Sequence, residues 1–149
     1  MRWAAPTQTR AMQVAAHLRK EDVIEVFCSH GLQGVDAVLE SWKNSPDCRC
    51  IEGDDGEPVG LCGVASGGVI WLLATDALLA TPSHRRQFIR GAKQWVDDLM
   101  ADGAGPLHNW VLAKRTRTLR WLQSLGFVVA TPRPMGPCSE LFCRCSRGA

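Results

Sequence analysis

The sequence predicts a single domain of the α/β (α+β) class over residues 1–149, and three observations carry that prediction. Val69-Ile70-Trp71-Leu72-Leu73-Ala74-Thr75 is a continuous apolar run, β-branched and aromatic at its start, as expected of a central strand covered on both faces. Phe88, Ala92, Trp95 and Leu99 then recur at helical spacing, while Arg86, Arg90, Lys93 and Asp97 fall elsewhere around the turn, which predicts an amphipathic helix over residues 83–100. After the breaker Asp102-Gly103-Ala104-Gly105-Pro106, residues 107–113 alternate in the manner of another strand. A helix between two strands makes a βαβ unit around residues 69–113.

The remaining elements follow in order. Residues 2–5 form an opening or edge strand, and residues 7–18 a helix with Thr7 as its cap and Met12, Ala15 and Ala16 on a buried stripe. Residues 21–28 continue helically with Val23, Ile24 and Phe27 inward, until Ser29-His30-Gly31 interrupts. Val35, Val38, Leu39 and Trp42 mark a further helix that stops before Asn44-Ser45-Pro46. A hairpin comes next, with strands over 48–52 and 59–65 around a turn from Gly53 to Pro58, and Ser66-Gly67-Gly68 leads into the apolar run. Pro82 suits a helix entry. Residues 116–125 form a last helix burying Leu119, Leu122 and Leu125; Gly126 stands where a left-handed cap is wanted, with Phe127 able to pack back. The proline-rich residues 131–137 read as a loop before a final strand over 139–145.

Composition agrees with one compact unit. A chain of 149 residues with 46% hydrophobic content buries a core without staples. No apolar run has membrane-spanning length, and the start lacks a secretory pattern, so a soluble, intracellularly made protein is expected. A formal charge of +2 does not itself argue for nucleic acid. Lys114, Arg115, Arg117 and Arg120 interleave with Trp110 and Trp121, yet this is read as an exposed helix face, so nucleic acid is not expected as a partner. Of the seven cysteines, Cys48/Cys50 and Cys143/Cys145 form two CxC pairs. They lack the CxxC spacing of a zinc knuckle and lie in separate strands, so they are read as buried free thiols and no metal is expected.

The order of elements, together with Leu119-Arg120-Trp121-Leu122-Gln123-Ser124-Leu125-Gly126-Phe127, resembles the closing half of the GNAT N-acyltransferase superfamily. More narrowly, Met1-Arg2-Trp3-Ala4-Ala5-Pro6, Leu18 to Val26 and Ile70-Trp71-Leu72-Leu73 resemble phage-encoded GNAT-like proteins, some described as internal virion or morphogenesis proteins of short-tailed phages. The resemblance implies a single GNAT-like domain with a central mixed, mostly antiparallel sheet flanked by helices. Its first functional implication is a phage structural or assembly scaffold, made in the host cytoplasm and carried into the virion. Such a scaffold would bind other phage structural or assembly proteins or further copies of itself, without a cofactor or a membrane. The alternative is an acetyl-CoA-dependent N-acetyltransferase acting on a protein or small-molecule amine.

The resemblance also assigns candidate residues. Members that use acetyl-CoA carry Arg-Gly-x-Gly-x-Gly after the central strand, whose amides hold a pyrophosphate. Here Arg85 takes the arginine position, while Arg86, Phe88 and Arg90 replace the three glycines. Arg85, Arg86 and Arg90 are therefore candidates for gripping an anion through side chains, against the reading of a solvated basic face. Helical spacing favours Phe88 as core. On a strand end that splays in the family, the backbone of Leu72 to Thr75 could pair with a pantetheine arm, with Leu73, Ala74 and Thr75 as the named candidates. Leu122 stands where relatives place an acid tyrosine, and the chain has no tyrosine. Arg115 replaces an asparagine common at the start of the last helix. The carboxylates near plausible clefts, and so the candidate general bases, are Glu25, Glu52 and Asp76.

Overall fold

The computed structural model describes residues 1–148. Eight strands form one sheet: β1 Arg2–Ala4, β2 Asp47–Glu52, β3 Pro58–Ala65, β4 Val69–Ala74, β5 Leu107–Leu112, β6 Val128–Val129, β7 Arg133–Met135 and β8 Glu140–Arg147. Five helices pack on it: α1 Gln8–Ala16, α2 Lys20–His30, α3 Gly34–Lys43, α4 Pro82–Ala101 and α5 Thr116–Ser124. The sheet order is β1-β2-β3-β4-β5-β8-β6, with β7 also on β8. Every pairing is antiparallel except β4 with β5. This is a single α/β domain with the mixed sheet and the βαβ unit that the sequence led us to expect. No helix among the described residues is long and apolar enough to cross a membrane.

Strand alternation divides the core into two layers. Cys50, Leu61 and Leu73 point to one face, where Ala11, Val14 and Ala15 of α1 and Ala37 and Val38 of α3 cover them. Ile70, Leu107 and Val111 point to the other, against Val96 and Leu99 of α4 and the Leu125-Phe127 close of α5. The α2 helix lies beside α3 and β5, its Cys28 packed with Leu112 and Phe142. Phe88 is core, 4% exposed, and stacks between Trp3 and Trp121 with ring centroids 6.2 and 5.3 Å away.

The helix ends follow their residues. Thr7 and Thr81 cap α1 and α4 by accepting from the amides of Arg10 and His84, and Pro82 opens α4. At the end of α5, Gly126 has φ of 87° while its amide and that of Phe127 donate to the carbonyls of Gln123 and Leu122, a Schellman close.

Several expectations need correction. The expected continuation of the first helix breaks at His17–Arg19, where Leu18 bridges to Thr75. Met12, Ala16, Val23 and Phe27 are exposed, because α1 and α2 bury only the faces turned to the sheet and to α3. The loop over 131–137 contains β7, which lines up on β8, and β8 itself runs on to Arg147. The two CxC pairs do lie on separate strands, β2 and β8, with three strands and the β4–β5 opening between them, which at about 4.8 Å per strand sets their separation at no less than about 19 Å.

Candidate active site

The parallel pair β4 and β5 meets only at its start. Val69 pairs with His108, whose amide donates to the Gly68 carbonyl at 2.9 Å, and no ladder continues beyond. Gly68 has φ of 85°, and a Cβ there would stand 2.2 Å from the Pro106 carbonyl, so the approach demands glycine. At the root of the opening the Asn109 side chain stands in for the missing ladder: its Nδ2 donates to the Ile70 carbonyl and its Oδ1 accepts from the Trp110 amide. Beyond it the strands diverge around a cavity of about 300 Å³, walled by Leu72 and Val111 from the strands, Phe88 and Ile89 from α4, and Trp121 and Leu122 from α5.

The cleft's chemistry lies in its unpaired backbone. Along β4 the polar groups alternate in direction. Thr75 N donates to Val59 of β3, whereas the Ile70 carbonyl and both backbone groups of Ala74 turn towards the opening. Leu72, in step with Ile70 and Ala74, therefore turns its N–H and C=O into the cleft, where no strand meets it. Two further donors lack a protein partner: the indole nitrogens of Trp95 and Trp121, which are buried and belong to cleft-lining residues.

The far end of the opening is closed by charge from α2. Asp22, 1% exposed, accepts from Ala74 N at 2.9 Å, and Glu25 Oε2 accepts from Leu112 N at 2.9 Å, so one helix supplies an acceptor to each diverging strand. Arg115 joins the two acids, with Nη2 3.2 Å from Asp22 Oδ1 and Nη1 2.7 Å from Glu25 Oε1. Arg19 forks onto Asp22 through Nε and Nη2, both at 3.0 Å, and its own amide donates to the Ala74 carbonyl. Glu25 lines the cleft. Burial raises its pKa above the ordinary 4.5, against the opposing pull of Arg115 and the Leu112 amide.

The candidate residues separate accordingly. Glu25 lies in the cleft. Glu52 does not: it is buried on β2, paired with Arg10 at 3.1 Å and Arg2 at 3.7 Å. Asp76 is exposed in the 3-10 turn Asp76–Leu79 and is not part of the cleft wall. Leu73 and Thr75 turn their backbones to β3, and Ala74's are already held by Arg19 and Asp22, so the strand group facing the cleft is Leu72. Arg85 lines the mouth and donates to the Leu79 carbonyl at 3.1 Å; Arg86 and Arg90 stand outside on the exposed flank of α4.

The start of α4 offers little to a pyrophosphate. Pro82 has no amide hydrogen, His84 N is held by Thr81 Oγ1 at 3.1 Å, and Arg85 N by the Thr81 carbonyl at 3.0 Å. Asp54 lies over this turn, 3.4 Å from His84 Nε2 and 3.3 Å from Gln87 Nε2.

Sequence reasoning missed Arg19, Asp22 and Arg115 as parts of the site. Arg19, Asp22 and Glu25 are spaced by three, which places them on one helix face. That spacing was the available signal, but nothing in it says that the face meets two strand ends.

No family model matches the sequence, and a search of curated proteins found no match. Solved structures do match. The ribosomal-protein-alanine N-acetyltransferase from Brucella melitensis shares the fold at a TM-score of 0.70 and 10% identity, with 100% of each chain covered. The spermidine N-acetyltransferase from Vibrio cholerae, solved in complex with CoA and spermine, gives 0.66 and 11%, covering 98% of this chain and 94% of that one. The ribosomal-protein-S18-alanine N-acetyltransferase from Escherichia coli gives 0.61 and 16%, covering 97% and 91%. The described residues share the GNAT fold of these structures. The expectation of a phage scaffold is corrected by these matches: the similar structures just named are acetyltransferases, and the phage resemblance finds no counterpart among them.

Proposed function

We propose that this protein is an N-acyltransferase that takes its acyl group from an acetyl-CoA-type thioester and transfers it to an amine of a protein or small molecule. One observation carries the reading: between two parallel strands that diverge, the unpaired backbone of Leu72 and the carboxylate of Glu25 face the same cleft.

The cleft fits a pantetheine thioester in part. A pantetheine arm carries two amides in an otherwise apolar chain. The cavity answers with mostly apolar walls and the Leu72 C=O, an acceptor for an amide N–H of the arm. Arg85 and Arg117 stand at the mouth for a phosphate. When bound, the thioester supplies an acyl carbon activated for attack by an amine. Leu72 N–H is a fixed donor for the carbonyl oxygen on which charge develops. Glu25 Oε1 and Oε2 each keep a lone pair beyond their bonds to Arg115 and Leu112 N, so the carboxylate accepts a proton from the attacking nitrogen, directly or through water. Leu122 provides no acid for the departing thiolate, which leaves that proton to solvent.

Calorimetry with acetyl-CoA, followed by thiol-release assays over a panel of primary amines, tests the reading. Saturable binding in the micromolar range, with thiol release lost in Glu25→Gln and in Leu72→Pro, is the expected result. No binding at millimolar acetyl-CoA and no release with any thioester would remove it.

A further inference from the structure

The basic charge at the cleft mouth lies in the wrong place for a pyrophosphate and in a suitable place for a protein. Arg85, Arg86 and Arg90 on α4 and Arg117 and Arg120 on α5 are all exposed. None is within ion-pair distance of a carboxylate among the described residues, whose pairs engage Arg2, Arg10, Arg19, Arg49, Arg115 and Arg147 instead. The first turn of α4, where paired phosphates would bind to amides, is capped by Thr81 and covered by Asp54. The free charge instead runs down the outside of α4, about 6 Å from Arg86 to Arg90 at 1.5 Å per residue, and across the mouth to α5. Ile89, apolar and 52% exposed, lines the mouth among these arginines. An apolar contact ringed by unpaired cations suits a folded partner bearing several carboxylates.

We propose that the thioester is presented to this cleft on an acidic carrier protein, with its phosphopantetheine arm in the cavity and its carboxylates on the two basic helices. This rests on the N-acyltransferase reading. The arm's single phosphate meets Arg85 and Arg117, one from each side of the mouth. In the transfer, the amine nitrogen forms the C–N bond as the C–S bond breaks. The amine's proton passes to Glu25 and from there to solvent, while the thiolate stays on the carrier and takes a proton from solvent, so the step balances.

The test compares five probes by calorimetry: an acidic bacterial acyl carrier protein with its phosphopantetheine arm, the same protein without the arm, CoA, pantetheine, and a single-stranded RNA. The armed carrier is expected to bind at least about tenfold more tightly than either the armless carrier or CoA. Arg86→Glu with Arg90→Glu is expected to weaken the armed carrier by about tenfold or more and pantetheine by less than about twofold. Both positions are exposed, and thermal melts verify that the variant folds. CoA binding as tightly as the armed carrier, or indifference of the carrier to the charge reversal, would overturn the proposal. So would single-stranded RNA that binds the same arginines more tightly than either carrier. If CoA binds and supports turnover while the carrier does not, the presentation idea alone is lost; if carrier, CoA and pantetheine all fail, the N-acyltransferase reading is lost with it.

Discussion

Asp22→Ala is the most searching perturbation of this site. The carboxylate is 1% exposed and accepts from Ala74 N, from Arg19 twice and from Arg115. Its removal leaves a buried strand amide without an acceptor, a cost of about 1–3 kcal/mol. It also leaves two guanidinium groups facing each other, and breaking a buried ion pair from one side costs about 3–5 kcal/mol. The two costs overlap, and the side chains of Arg19 and Arg115, each 14% exposed, regain some hydration. We therefore expect a net loss of about 3–4 kcal/mol. With an unfolding entropy of about 2.1 cal/mol/K per residue, the 149-residue chain should melt roughly 10 °C lower. Asp22→Asn keeps an oxygen for Ala74 N and loses only the charge, so its shift should be about half as large. Thermal and urea unfolding followed by circular dichroism measure both. A melting point within about 2 °C of wild type for the alanine variant, or equal damage from both variants, would refute the claim that Asp22 ties α2 to the diverging strand.

Three other outcomes are expected. Because Glu25 holds its proton more tightly folded than unfolded, its contribution makes stability fall as pH rises from 4.5 through its raised pKa; Glu25→Gln should flatten that part of the stability profile, and any residual turnover it keeps should lack the acid limb of the wild type, so that an unchanged limb would exclude Glu25 as the base. Cys138 is exposed whereas the other six thiols are buried, with burial pushing Cys48 and Cys145 to about 11. An aromatic disulfide reagent should therefore titrate one thiol quickly in the native protein, and two fast equivalents would contradict the packing. Gly68→Ala drives a methyl group into the Pro106 carbonyl at a positive φ, so it should destabilise by about 2 kcal/mol or more and open the root of the cleft; a neutral result in urea unfolding would count against that close approach.

The fold was more legible than the site, for identifiable reasons. The apolar run at Val69, the stripe from Phe88 to Leu99 and the Gly126-Phe127 close are local signals, each tied to one periodicity or one dihedral requirement, and each appears where expected. Phe88 was also correctly inclined to the core by its spacing with Ala92 and Trp95. The run read as able to pair through its backbone, Leu72 to Thr75, was broader than the part that faces the cleft, because the direction of an N–H depends on register with β3 and leaves no mark on side-chain identity. Asp22 reads in sequence as an ordinary acid in the first turn of a helix. Its role depends on α2 crossing the ends of β4 and β5, a contact between residues more than fifty positions apart. Arg115, a departure from the family pattern in sequence, becomes intelligible once both α2 acids lie beside it.

The aromatic walls of the cleft give the protein an optical property of practical use. The chain has six tryptophans and no tyrosine, and Trp3, Trp71, Trp95 and Trp121 all belong to the cleft lining. Its intrinsic ultraviolet emission is therefore weighted towards the very cavity where a ligand would sit. Occupancy there should alter quenching and spectral position without any attached dye, so that unlabelled protein reports on its own cleft.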